Sequence, residues 1–178
     1  MQNIMRNIIR IREEKRSDYD AIRYVNDKAF NQPQEGNVIE KLRNTDSRIL
    51  SLVAEIDNKI IGHIFFGSVE IEGYPEIENG MGLAPLAVLP EYQKQGIGKM
   101  LIDKGIDLLK KQSVPFVIVL GHEHYYPKFG FETASKYGLK CQWDGVPDKA
   151  FMVMIFDKNK MKNVQGVVRY REEWNEAV

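Results

Sequence analysis

Cysteine is nearly absent from this chain. Cys141 stands alone, so no intramolecular disulfide can form, which fits a reducing compartment. Histidine is scarce too, with three in 178 residues. That is thin material for a closed metal site. Net charge is lacking: 25 Lys and Arg balance 25 Asp and Glu. Domains that bind nucleic acid usually carry a basic excess, so that class of function loses its support. Apolar runs long enough to cross a bilayer are missing. The stretch MQNIMRNIIRIREEK is broken by Arg6, Arg10 and Arg12 and lacks the apolar core of a secretory signal. The expectation is a cytoplasmic protein with neither nucleic acid nor a membrane as partner. No repeat or low-complexity linker divides the sequence, so a single domain spanning 1–178 is expected.

What is present is a mixture of strand and helix patterns. NIIRIRE (7–13) alternates partially and reads as a first strand. SDYDAIRYVNDKAF follows, with Ser17 or Asp18 as a helix cap and Ile22, Val25 and Ala29 on one face. EGNVIEKLRN (35–44) suggests a second short helix carrying Val38, Ile39 and Leu42. Two strands then flank Asp57-Asn58, a pair suited to a tight hairpin turn. MGLAPLAVLP is apolar on both faces and reads as a buried strand. Pro85 inside it supplies no ladder N–H, so a bulge is expected there. Residues 97–112 form the clearest helix, with a wide stripe from Ile97 to Leu109 and lysines at its carboxyl end. FVIVLG, KAFMVMIF (149–156) and GVVRY complete the strands. The class is α/β (α+β), a mixed sheet with a few helices.

The chemistry concentrates in PEYQKQGIGKM, between the buried strand and the best helix. The first N–H groups of a helix lack intrahelical partners and carry partial positive charge, so such an end binds phosphate. Gly96 and Gly98 remove side chains where a ligand would approach, and Lys94 and Lys99 add charge. A P-loop needs GxxxxGK followed by Ser or Thr, but Lys99 is followed by Met100 and the first glycine position holds Gln93. A dinucleotide fingerprint needs a third glycine where Leu101 stands. Both of those readings fail, which leaves phosphate binding at the helix start beside the plainer reading that the glycines serve only the turn.

LAVLPEYQKQGIGKMLID resembles the acetyl-CoA signature of the GNAT N-acetyltransferases, [Gln/Arg]-x-x-Gly-x-[Gly/Ala] after a strand ending Leu-x-Val-x-Pro. VLGHEHYYPKFGF is similar to a segment of a bacterial branch of that family, Tyr-Tyr-x-[Arg/Lys]-Phe-Gly-Phe. The resemblance covers most of the chain. It implies a mixed, mostly antiparallel central sheet with helices on both faces and a splayed parallel strand pair forming the acetyl-CoA cleft. It also implies acetyl transfer from acetyl-CoA, without a metal, to a primary amine of a small molecule or peptide by direct attack in a ternary complex. The alternative is a non-catalytic acyl-CoA-binding module on the same fold, either state being monomer or homodimer.

Carried over by residue, the resemblance implies that Leu86, Ala87 and Val88 pair with the pantetheine arm. The loop Gln93, Lys94, Gln95, Gly96, Ile97, Gly98 and Lys99 would hold the pyrophosphate. The Tyr-x-x-x-Gly-Phe frame names Tyr126 as the general acid, with Tyr125 one residue out of frame. The plain alternative for both tyrosines is an aromatic corner packed on Phe129 and Phe131, and it is expected to hold for one of the two. The family's asparagine frame falls on Val119, and its strand glutamate has no counterpart in Met81–Ala84. That leaves His122, Glu123, His124, Glu76 and Glu78 as base candidates. Two imidazoles in His-x-His share one side only in an extended strand, and no further cluster supports a metal. Walls for the acceptor are expected from 17–46, 72–80 and 141–149, where Trp143 lines a pocket or caps the core. Glu35, Glu40, Glu76 and Glu78 are the carboxylates that could draw a cationic amine.

Overall fold

The computed structural model describes residues 8–178. Asn7, the first residue of the expected opening strand, and the other residues of MQNIMRNIIRIREEK before Ile8 lie outside them. Nine strands form one hydrogen-bonded system. β1 (Arg10–Glu13), β2 (Leu50–Ile56), β3 (Lys59–Ile71), β4 (Met81–Val88), β5 (Phe116–Leu120), β8 (Phe151–Ile155) and β6 (Glu132–Thr133) lie side by side in that order. β9 (Gly166–Tyr170) pairs with the far end of β3 and runs parallel to β7 (Leu139–Cys141). The sheet is mostly antiparallel, with β4 and β5 as the parallel pair at its centre.

The β2–β3 hairpin turns at Asp57-Asn58, both with positive φ, the geometry that suits the right-handed twist of paired strands. The helices divide between the faces. α1 (Tyr19–Phe30) and α2 (Gln34–Thr45) pack on one side, where Asn26 meets His63 and Val38, Ile39 and Leu42 enclose Phe65. α3 (Ile97–Lys111) covers the other, with Gly105 against the Phe66 ring. Each helix buries the stripe that its 3.6-residue period defines.

The break that makes the cleft is written into β4. Leu83 opposes Phe66 and Leu86 opposes Ile64, so β4 spends three residue steps where β3 spends two. The extra residue falls at Ala84–Pro85, a cis peptide unit, as a bulge does in a strand that loses a ladder N–H. Parallel pairing with β5 is confined to Met81–Leu83 against Val117–Val119. Beyond it β4 continues to Val88 without a partner from β5, which ends at Leu120 and is paired along its whole length with β8 on its other edge.

One polar chain crosses this core. The Ser51 hydroxyl donates to Glu14 at 2.6 Å, and Glu14 pairs with Arg43 at 2.8 Å. His63 lies 2.8 Å from Ser51 and 3.0 Å from the Asn26 amide. Since Ser51 spends its proton on Glu14 and Asn26 is the donor on the other side, His63 is the neutral Nε2–H tautomer. Complete burial, with Arg43 adding, pushes its pKa down to about 3.

Candidate active site

The glycine loop enters α3 through two residues of positive φ, Lys94 at 60° and Gly96 at 85°. Gly96 takes this left-handed conformation without a side-chain penalty and starts the helix. No acidic residue stands in the first turn of α3, so the free N–H groups of Ile97, Gly98 and Lys99 keep their positive character. A groove of about 540 Å³ lies against this turn. Leu86 and Val88 form one wall and Tyr125 and Tyr126 the other.

The β4 backbone explains which wall groups are free. Leu89 donates to the Ile61 carbonyl at 2.9 Å, and Ala87 lies opposite His63. In an antiparallel ladder, alternate residues point their polar groups to opposite neighbours. Ala87 and the Leu89 N–H are therefore spent on β3, while Leu86 and Val88 turn their polar groups into the cleft. The Gln93 side chain donates to the Val88 carbonyl at 3.0 Å and ties the loop to the strand. The Val88 N–H stays directed at the groove.

Two expectations change here. Ala87 is buried with its backbone committed to β3, so its peptide groups do not face the groove. Gln95 donates to the Glu91 carbonyl at 3.1 Å and braces the turn before the loop instead of lining the groove. The Lys99 ammonium is paired with Asp103 one helical turn on. Lys99 still lines the groove, together with Gln93, Lys94, Gly96, Ile97 and Gly98.

The two tyrosines divide their labour. The Tyr125 hydroxyl lies over the first turn of α3, where a Cβ on Gly98 would stand 2.7 Å from it. Tyr126 is 8% exposed and packs edge-to-face on Tyr125 at 5.2 Å and on Phe131 at 5.8 Å. Its ring also presses on Gly121, where a Cβ would stand 2.4 Å away. So both tyrosines belong to the aromatic corner, and both also line the groove. Burial raises the Tyr126 pKa well above the ordinary phenol value, with Tyr125 adding a smaller push. The hydroxyl is held protonated and can donate.

A second cavity, of about 320 Å³, opens on the far side of Tyr126. The two cavities share Leu86, His122 and Tyr126. Phe30 and Glu35 come from the early helices, Trp143 from the loop after β7, and Tyr170 and Trp174 from the carboxyl-terminal segment. The 72–80 loop does not contribute; it lines a separate cavity with Arg48 and Arg169. Trp143 stacks obliquely on Tyr170 at 5.0 Å, so it walls the pocket. The Tyr170 ring is partly exposed but its hydroxyl is buried, and burial, then Cys141 and Tyr126, raise its pKa.

Sequence reading missed Tyr170 and Trp174 because the tail looked polar. A lone tryptophan among Glu172, Glu173 and Glu176 was the available signal. Of the proposed bases, His122 rims both cavities, His124 is exposed beside Glu123 at 3.1 Å, and Glu78 lies in the separate cavity. Among the described residues, no group of three His, Cys, Asp or Glu is placed to hold a metal. No helix among them is long and apolar enough to cross a membrane.

A sheet opened by a splayed parallel pair, with a bare helix start on one side and a buried phenol opposite, is the architecture of an acyl-transferring N-acetyltransferase. Residues 47–133 match the family model described as acetyltransferase (GNAT) domain. The chain is 34% identical over 149 residues to the uncharacterized N-acetyltransferase YhbS of Escherichia coli, covering 83% of this chain and 87% of that one. It is 40% identical over 122 residues to YjhQ of the same organism, covering 67% of each. The crystal structure of E. coli YhbS in complex with CoA superimposes with a TM-score of 0.88 at 31% identity, over 95% of this chain and 93% of that one. A GNAT acetyltransferase from Brucella melitensis in complex with acetyl-CoA gives 0.78 at 31% identity, over 94% and 99%. The chain belongs to the GNAT family of N-acetyltransferases.

Proposed function

We propose that the protein transfers an acetyl group from acetyl-CoA to a primary amine by direct attack in a ternary complex, with Tyr126 at the reacting centre. The observation that carries this reading is the position of Tyr126, buried in the wall that the two cavities share. One cavity meets the loop suited to pyrophosphate, and the other is a largely apolar pocket of small-ligand size. CoA complexes of relatives at 31% identity support the assignment of the first.

In this reading the amides of the Gln93–Lys99 loop hold the pyrophosphate, and Lys94 adds charge. The peptide groups of Leu86 and Val88, left without a β5 partner, pair with the pantetheine arm. The Val88 N–H faces the thioester oxygen and stabilises the charge that develops on it. The amine nitrogen forms a bond to the acetyl carbon, the carbon–sulfur bond breaks, the nitrogen sheds a proton, and the thiol regains one. A phenol of pKa ~10 is a weaker acid than a thiol of ~8.5, so complete transfer from tyrosine is uphill by roughly 2 kcal/mol. Burial makes it steeper. Tyr126 therefore acts as a hydrogen-bond donor to the departing sulfur. The lone cysteine and the E. coli relatives support a bacterial cytoplasmic setting, and the continuous strand system supports one domain across 1–178.

Thiol release with acetyl-CoA and a panel of amines tests the reading. Tyr126→Phe is expected to lower kcat roughly 100-fold, within the range for a positioned proton donor, without changing acetyl-CoA affinity. Turnover of no amine by a wild type that binds acetyl-CoA, together with no effect of Tyr126→Phe, overturns it.

A further inference from the structure

The cavity beyond Tyr126 has a distinct chemical character. Its walls are the rings of Phe30, Trp143, Tyr170 and Trp174 and the aliphatic groups of β4 and β5. Among the described residues, no lysine or arginine lines it. The carboxylate side chain among its lining residues is Glu35, which is only 8% exposed. The Gln32 amide donates to one Glu35 oxygen at 2.9 Å. The other oxygen is buried and has no hydrogen-bond partner among the described residues. The Tyr170 hydroxyl in the same cavity is likewise buried and unpartnered.

An unpaired carboxylate oxygen in an apolar pocket is expensive, and native structures keep such groups for a reason. The dipole at the start of α2 accounts for an acid in that turn but not for a bare oxygen. The other three acidic candidates have different surroundings. Glu40 is paired with Arg23 at 3.0 Å, Glu78 shares its cavity with Arg48 and Arg169, and Glu76 is exposed.

An ammonium carries three donors and no acceptor, so it can satisfy Glu35 and Tyr170 together. Aromatic faces add attraction for a cation and bury an apolar stem. An acceptor bearing a carboxylate or phosphate would meet Glu35 with His122 as the one basic side chain among the described lining residues. Resting on the acetyltransferase reading above, we propose that the acceptor is a primary amine on an uncharged aryl or alkyl stem. Glu35 is its specificity-determining residue, the carboxylate that holds the ammonium.

The test compares phenethylamine and hexylamine with glutamate and glucosamine 6-phosphate as acceptors, using wild type and Glu35→Gln. CoA affinity is measured on both proteins. Phenethylamine or hexylamine is expected to have the highest kcat/KM in wild type. Glu35→Gln is expected to raise its KM roughly 10- to 100-fold, the scale of one lost charge-assisted hydrogen bond, with kcat much less affected and CoA affinity unchanged. Higher kcat/KM for the anionic amines, or a Glu35→Gln effect confined to kcat, overturns the assignment and leaves the acetyltransferase reading standing. Failure of wild type to bind CoA removes that reading and this one with it. Where CoA binds and no amine turns over, thermal shift of the CoA complex by phenethylamine decides: no shift in wild type, or an equal shift in Glu35→Gln, overturns the assignment. Should Glu35→Gln fail to fold, as CoA binding reveals, the wild-type preference between phenethylamine and glutamate decides alone.

Discussion

His63 shows how a single residue sets a property of the whole. Its ring is fully buried, bonded on both nitrogens, and neutral. The unfolded chain protonates it near 6.5, while in the folded protein burial holds that event down to about 3. Between these values the unfolded state binds the extra proton, so stability is complete above about pH 6.5 and falls as pH drops. The expected slope is up to about 1.4 kcal/mol per pH unit. For Glu173, burial pushes the pKa up but Thr45 and Arg171 prevail, bringing it to about 2. Its contribution is lost between about 4.5 and 2, below the histidine window. Melting temperatures from pH 7.5 to 5 should therefore decline in wild type and flatten in His63→Gln. An unchanged slope in the variant would take His63 out of the account. Tyr126 gives the opposite signature. Its raised pKa keeps the donor proton in place, so the rate should show no alkaline loss from Tyr126 below about pH 10. An alkaline limb near pH 9 that vanishes in Tyr126→Phe would contradict the raised pKa and show a phenol that gives up its proton in that range.

At the scale of elements, the end of β5 must hand the chain to the Tyr126 turn with no room to spare. A Cβ at Gly121 would stand 2.4 Å from the Tyr126 ring, and that ring is itself pinned by Tyr125 and Phe131. Gly121→Ala should cost about 1–3 kcal/mol by overpacking and lower kcat by tilting Tyr126, with CoA affinity retained. Chemical denaturation alongside steady-state rates would check it; full activity would show that the ring has somewhere to go. Much of this element structure was legible beforehand. The α3 stripe, the Asp57-Asn58 hairpin and the Pro85 bulge each have a local physical cause, so single-sequence patterns reveal them. β6 and β7 are two and three residues long, too short for alternation to register. Glu35 was half legible. It lies three, four and seven residues before Val38, Ile39 and Leu42, on the buried stripe of α2, where a carboxylate is out of place. Its neighbours Trp143, Tyr170 and Trp174 arrive through long-range pairing of β9 with β3 and β7, and no local pattern encodes that meeting.

On the scale of the whole molecule, the cleft is a place where the sheet gives up its own pairing. β4 and β5 are joined only through Met81–Leu83 and then part, leaving the Leu86 and Val88 peptide groups without a strand partner from β5. A ligand that supplies those hydrogen bonds while seating its pyrophosphate on α3 links the two halves of the sheet. Such a ligand binds the folded state and not the unfolded chain, so it must raise the melting temperature. At a CoA concentration 100-fold above its dissociation constant the gain is about 2.7 kcal/mol. For a chain of this size that corresponds to a shift of roughly 5–10 °C. ATP and NAD offer phosphates to the same helix start but no pantetheine arm to lie along β4. They should therefore shift the melt by no more than a small fraction of the CoA value at equal concentration. Gly98→Ala should cut the CoA shift as well, because a Cβ there would meet the Tyr125 hydroxyl at 2.7 Å and crowd the groove. A larger shift with ATP than with CoA would mean that the loop reads phosphates alone and that the opened strand pair serves some other ligand.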